Sequence, residues 1–110
     1  MDEKTKKVMF EKQTEKPFTS EYLHNQKIGI YTCKNCQREL FNSKEKFDSG
    51  TGWPSFFEAK NVDLKIDKSH GMIRMEALCK CGAHLGHFFE DGPKNKRYCI
   101  NGICLEFQEK

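Results

Sequence analysis

No apolar run in this chain approaches the roughly 18 residues that a membrane span requires, and its lysine-rich N-terminus lacks the apolar centre of a signal peptide. Charge of one sign is also lacking. The 19 basic and 16 acidic residues are interspersed and leave a net charge of only +3, too mild to argue for nucleic-acid binding. Internal repeats, low-complexity tracts and linkers are missing as well. These absences point to one cytoplasmic, monomeric domain over residues 1–110, long enough for a single core.

What the chain does have is cysteine and aromatic area. Six cysteines in a reducing compartment are expected to be metal ligands and reactive thiols rather than a disulfide framework. Nine Phe, three Tyr and one Trp carry much of the apolar surface. Residues 1–16 are highly charged with scattered Val8, Met9 and Phe10, which suits a short helix or a frayed terminus ended by Pro17. From Ile28 onward the apolar runs are short and punctuated by Gly, Asn, Asp and Pro: 28–33, 39–41, 62–66, 72–78, 87–89 and 97–107. That spacing predicts a mainly β fold of antiparallel strands. In the last run the alternation changes phase at Gly102, which predicts a bulge within one continuous strand.

Three groups of residues carry chemistry. In the run Lys96–Asn101 a period of two puts Arg97, Cys99 and Asn101 on one face and Tyr98 and Ile100 on the other. The nearby guanidinium favours thiolate over thiol, so Cys99 reads as a reactive cysteine; the competing reading is a buried, inert one. Cys33-x2-Cys36 and Cys79-x-Cys81 form two pairs from separate hairpins, the usual way of closing a tetrahedral structural zinc site. The one-residue spacing of the second pair strains chelation, and His84 is a candidate to replace one of its thiols. His84 and His87 stand close together with Gly86 between them, which lets the backbone bend or approach a neighbour closely. The loop Gly50–Phe57 presents Trp53, either as core or lid or as the wall of a pocket for a small apolar group.

PFTSEYLHN (17–25), GIYTCKNC (29–36), FDSGTGWPSF (47–56), SHGMIRMEALCKC (69–81), GAHLGHFFEDGP (82–93) and KRYCINGICLEF (96–107) together resemble the B-type methionine sulfoxide reductases, over Lys16 to Phe107. The resemblance implies two antiparallel sheets with a short N-terminal helical segment and reduction of the R epimer of methionine sulfoxide. It implies Cys99 as the nucleophile that becomes a sulfenic acid, with His84, His87 and Asn101 bonding or protonating the sulfoxide oxygen. Trp53, Phe89 and His70 would bind substrate, and Arg97 would support the thiolate. Cys33, Cys36, Cys79 and Cys81 would hold one structural zinc. The implied partners are oxidised proteins or peptides and a thiol reductant such as thioredoxin.

Thr51 occupies the place where many members carry a resolving cysteine. Cys104 is the candidate substitute, but an extended strand would separate it from Cys99 by about 13–16 Å, against the roughly 7 Å between Cα atoms that a disulfide tolerates. Direct attack on the sulfenic acid by thioredoxin or a small thiol is therefore expected. The competing function is a zinc-ribbon-like binding module, which leaves Cys99, the histidines and the Trp53 loop without a role.

Overall fold

The computed structural model describes all 110 residues and builds them into two antiparallel sheets and one short helix. The helix α1 (Glu3–Glu11) starts where the Asp2 side chain accepts the Thr5 amide at 2.8 Å, and it buries Val8 and Met9. It stops at Lys12, whose φ of 55° is left-handed, well before Pro17. Pro17 is thus not its terminator. The residues between cross the larger sheet as a strap. No helix is long and apolar enough to cross a membrane.

The strands are β1 (Gly29–Cys33), β2 (Glu39–Asn42), β3 (Lys46–Phe47), β4 (Ser55–Phe56), β5 (Val62–Asp67), β6 (Arg74–Cys79), β7 (His84–Phe89), β8 (Arg97–Ile100) and β9 (Leu105–Glu109). They pair as a three-stranded sheet, β2-β1-β9, and a six-stranded sheet, β3-β4-β8-β7-β6-β5. Between the sheets lie Tyr31, Leu40, Phe41, Phe56, Leu85, Ile100 and Leu105, all fully or almost fully buried. Phe41 stacks on Phe56 with ring centroids 4.3 Å apart, and Tyr31 meets Phe107 at 4.8 Å. The mainly β expectation holds.

The phase change at Gly102 has a different cause from the bulge that the alternation predicts. The strand ends at Ile100, Gly102–Cys104 form a single 3₁₀ turn, and the chain re-enters as β9 in the other sheet. Ile100 and Leu105 are both buried because each sheet turns its apolar face to the same core. A Cβ at Gly102 would collide with the Ser20 side chain, so the turn has no room for a larger residue.

A true irregularity occurs in β7. Ala77 pairs with Gly86 but Leu78 pairs with His84, leaving Leu85 as an extra residue. His84 and His87 are three apart and would face opposite ways in a regular strand. The bulge brings both to one face, with ring centroids 5.5 Å apart.

Candidate active site and metal centre

The register of the six-stranded sheet assembles the site. On β8, Cys99 stands opposite His87 of β7 and Ser55 of β4, and His87 in turn stands opposite Glu76 of β6. Residues directly opposite in antiparallel strands share a face, so Ser55, Cys99, His87 and Glu76 form one polar row. Arg97, Phe89, Arg74 and Asp67 extend it by the same pairings. The other face carries Tyr98, Ile100, Phe56 and Ala77 into the core. Gly86 lies between the histidines, and a Cβ there would strike the Cys99 carbonyl oxygen. Close strand approach is what this glycine provides.

Cys99 lies partly open in a cleft of about 100 Å³ lined by Thr14, Trp53, Arg74, Gly86, His87, Phe89 and Asn101. Its sulfur is 3.7 Å from Thr51 Oγ1. Arg97 makes two bonds to Asp91, at 2.7 and 3.2 Å, and lies over the Phe89 ring at 4.2 Å. The Asp91 carboxylate, with a smaller contribution from Cys99, holds the Arg97 guanidinium above its ordinary range, so a fixed positive charge sits beside the sulfur.

The strap forms one wall. Glu15 donates its amide to Asn101 Oδ1 at 2.9 Å and accepts the Trp53 Nε1–H at 2.8 Å. Phe18 donates to the Gly52 carbonyl at 2.7 Å. Asn101 also donates through Nδ2 to the Leu85 carbonyl at 3.0 Å. Its Oδ1 and one of its two Nδ2 hydrogens thus hold the strap and β7 together, and the side chain borders the cleft. Burial raises the Glu15 carboxyl pKa, partly offset by the amides of Gly102 and Ile103.

The two histidines differ. His87 Nε2 is 2.8 Å from Asp67 Oδ2, and the ring borders the Cys99 cleft. His84 is only 2 % exposed and lies beneath, with Nδ1 2.7 Å from Glu76 Oε2 and Nε2 unpartnered. Desolvation lowers its pKa although Glu76 pulls the other way, so the ring stays neutral and donates Nδ1–H. His84 does not line the Cys99 cleft. His70, exposed on the turn Ser69–Gly71, borders a neighbouring polar cavity with Asp67, Arg74 and Met72. Cys104 is wholly buried, its Sγ donating to the His84 carbonyl at 3.5 Å, and burial pushes its thiol pKa up.

Asp67, Glu76, Lys12 and Glu15 escape the sequence reading. Lys12 Nζ reaches Asp67 at 3.7 Å and Glu76 at 3.3 Å, tying the helix end to both carboxylates. The usable signal was Arg74 and Glu76, charged residues two apart inside the apolar run 72–78. Nothing local marks Lys12 or Glu15.

The candidate metal centre lies at the ends of two hairpins. Cys33, Cys36, Cys79 and Cys81 place all four sulfurs within 4.8 Å of one another, with Cys33–Cys81 at 3.9 Å and Cys36–Cys79 at 3.5 Å. A tetrahedral zinc with bonds of about 2.3 Å requires sulfurs about 3.8 Å apart, so the set fits. The tight turn closed by Gly82 N–H to the Cys79 carbonyl at 2.8 Å, with Gly82 at φ 95°, resolves the one-residue spacing. Cys81 N–H points to Cys79 Sγ at 3.5 Å, and the amides of Asn35 and Cys36 serve Cys33. Such donors suit thiolates. His84 lies outside the quartet, bonded to Glu76. Cys99 is also outside it, and a purely metal-binding module accounts for none of the cleft.

Residues 1–109 match the SelR domain family. The chain is 52% identical over 104 residues to the peptide methionine sulfoxide reductases MsrB of Burkholderia ambifaria and Burkholderia vietnamiensis, covering 88% of this chain and 73% of each of them. It is 50% identical over 107 residues to that of Methanosarcina barkeri, covering 92% and 75%. With almost the whole chain matched to the family and relatives of this similarity spanned for most of their length, the chain belongs to the SelR domain family, alongside the MsrB methionine sulfoxide reductases.

Proposed function

We propose that this chain, acting over 1–110 as one reductase domain, reduces the R epimer of methionine sulfoxide in oxidised peptides and proteins. The carrying observation is the row in which Cys99 sits opposite His87 under the Trp53 and Phe89 walls, with Arg97 beside the sulfur. The Cys99 thiolate attacks the sulfoxide sulfur while the sulfoxide oxygen takes a proton. Methionine leaves as the thioether, and the oxygen remains on Cys99 as a sulfenic acid. A sulfoxide sulfur is a good electrophile only when its oxygen is protonated, and His87, held by Asp67, is the cleft's proton donor. Two reductant thiols then return Cys99 to the thiol, becoming a disulfide and releasing water; thioredoxin is the expected donor.

Cys33, Cys36, Cys79 and Cys81 hold one zinc in this reading. The ion ties the β1–β2 and β6–β7 hairpins together and supplies structural stability. Six cysteines outside any disulfide suit a reducing compartment such as the cytoplasm. The reading is tested by measuring turnover on each sulfoxide epimer separately, with dithiothreitol as reductant. Activity on R alone that disappears in Cys99→Ser is expected; equal rates on R and S, or activity surviving that substitution, overturns the assignment.

A further inference from the structure

Three hydroxyls run in line from the Cys99 sulfur into the sheet. Thr51 Oγ1 is 3.7 Å from Cys99 Sγ, Ser49 Oγ is 2.8 Å from Thr51 Oγ1, and Ser55 Oγ is 2.7 Å from Ser49 Oγ. The row ends where Ser55 donates to the Trp53 carbonyl at 3.1 Å. Ser55 is fully buried, and its place opposite Cys99 fixes that end to the backbone.

Each hydroxyl owns one proton, and counting them fixes the row's direction. Ser55 spends its proton on the Trp53 carbonyl, so the Ser49–Ser55 bond is donated by Ser49. The Thr51–Ser49 bond is then donated by Thr51. Thr51 is left with a lone pair toward Cys99, suited to accept the thiol S–H. Rotating all three hydroxyls reverses the row: Ser55 donates to Ser49, Ser49 to Thr51, and Thr51 to a negatively charged sulfur. No proton is gained or lost in the reversal, and only the bond to the Trp53 carbonyl is given up.

We propose that Thr51, Ser49 and Ser55 form a reversible hydroxyl row that follows the charge on Cys99, accepting from the thiol and donating to the thiolate. Thr51 touches the reacting sulfur and is a catalytic residue; Ser49 and Ser55 are positioning residues acting through it. The inference rests on Cys99 as the attacking thiol, and it identifies what stabilises the attacking form on the side away from His87. The other ionisable groups around the sulfur are Arg97 on β8, His87 on β7 with its partner Asp67 on β5, and Arg74 on β6, while the Glu15 carboxyl on the strap faces the amides of Gly102 and Ile103. All are retained in the variants below.

The test is the pH dependence of iodoacetamide alkylation at Cys99, read by peptide mass in the intact protein as purified, for the wild type, Thr51→Val, Thr51→Ser and Ser49→Ala. One hydrogen bond to a charged group changes the thiolate fraction by about tenfold. A less stabilised thiolate is also more nucleophilic, which offsets about half of that on a logarithmic scale. Thr51→Val should therefore move the midpoint up by about one pH unit and slow alkylation near pH 7 by about threefold. Thr51→Ser should keep the wild-type profile, and Ser49→Ala should move the midpoint up by at least about 0.3 pH unit, a twofold change in thiolate fraction. A Thr51→Val profile matching the wild type overturns the role of Thr51, and a Ser49→Ala profile matching the wild type overturns the row. If Thr51→Val does not fold, Thr51→Ala carries the same expectation. Alkylation consumes no sulfoxide, so loss of the reductase reading through activity in Cys99→Ser would leave this result standing by itself.

Discussion

Asp67 Oδ2 lies 2.8 Å from His87 Nε2, a bond between the two strands that flank β6. The His87 hydrogen bond first, then the Ser69 amide, hold the Asp67 carboxyl well below the usual carboxylate range, with Lys12 adding to the effect. Asp67 therefore stays ionised at neutral pH. It fixes which ring nitrogen of His87 carries the proton.

Replacing the proton donor should cost more than replacing its holder. His87→Ala is expected to slow single-turnover reduction of methionine R-sulfoxide by about 100-fold or more, the usual scale for a positioned acid. Asp67→Asn keeps the shape but loses the charge, and about a tenfold loss is expected, with little change in KM. A loss below about threefold for His87→Ala would remove His87 from the chemistry.

Acid should destabilise the fold in two stages. His84 has a folded pKa lowered from 6.5 by burial, so the unfolded chain binds its proton more readily. Stability from this group is whole above about 6.5 and declines as pH falls below it. Asp67, lowered from 3.8, behaves with the same sign, and its contribution is lost only below that value. Urea midpoints should fall between pH 7.5 and 5 and fall again below pH 4. His84→Gln should flatten the first stage; an unchanged slope would show that His84 does not control it.

How far the sequence led depends on how local each signal was. Alternation along β6 and β8 was readable because one face of each strand meets the core or the cleft, whereas in β5 it was readable although Leu64 and Ile66 stay exposed. Cys99, His87, Trp53 and the four paired cysteines were visible as residue types in short motifs. The change of sheet after Ile100 was not, because a turn and a bulge both shift an alternation by one residue. The shared face of His84 and His87 depends on the bulge at Leu85, which only pairing with β6 reveals. Lys12 and Glu15 act through a strap whose course depends on tertiary contacts with Asp67, Glu76, Asn101 and Trp53.

The metal quartet makes a prediction that spacing alone left divided. Protein purified without chelator should carry about one zinc per chain. Cys79→Ser and Cys81→Ser should each lose it and melt well below the wild type, whereas His84→Ala should retain the metal because its ring faces Glu76. Elemental analysis of the three variants decides the matter, and metal loss in His84→Ala with retention in Cys79→Ser would reverse the ligand assignment.

Recycling gives the last prediction. The neighbour of the Cys99 sulfur is the Thr51 hydroxyl, while Cys104 is enclosed beneath the His84 carbonyl at the end of the turn between sheets. Thiols bound to metal are engaged and unavailable. One equivalent of R-sulfoxide without added thiol should therefore yield about one methionine per chain and a sulfenic acid on Cys99 that dimedone traps. Cys104→Ser should leave that adduct unchanged. Thr51→Cys should replace it with a disulfide to Cys99, because the side chains at these positions already meet at 3.7 Å. Peptide mapping after one turnover reads all three results. A Cys99–Cys104 linkage in the wild type, with no dimedone adduct, would mean that the Gly102–Cys104 turn opens during turnover and that the chain resolves its own sulfenic acid.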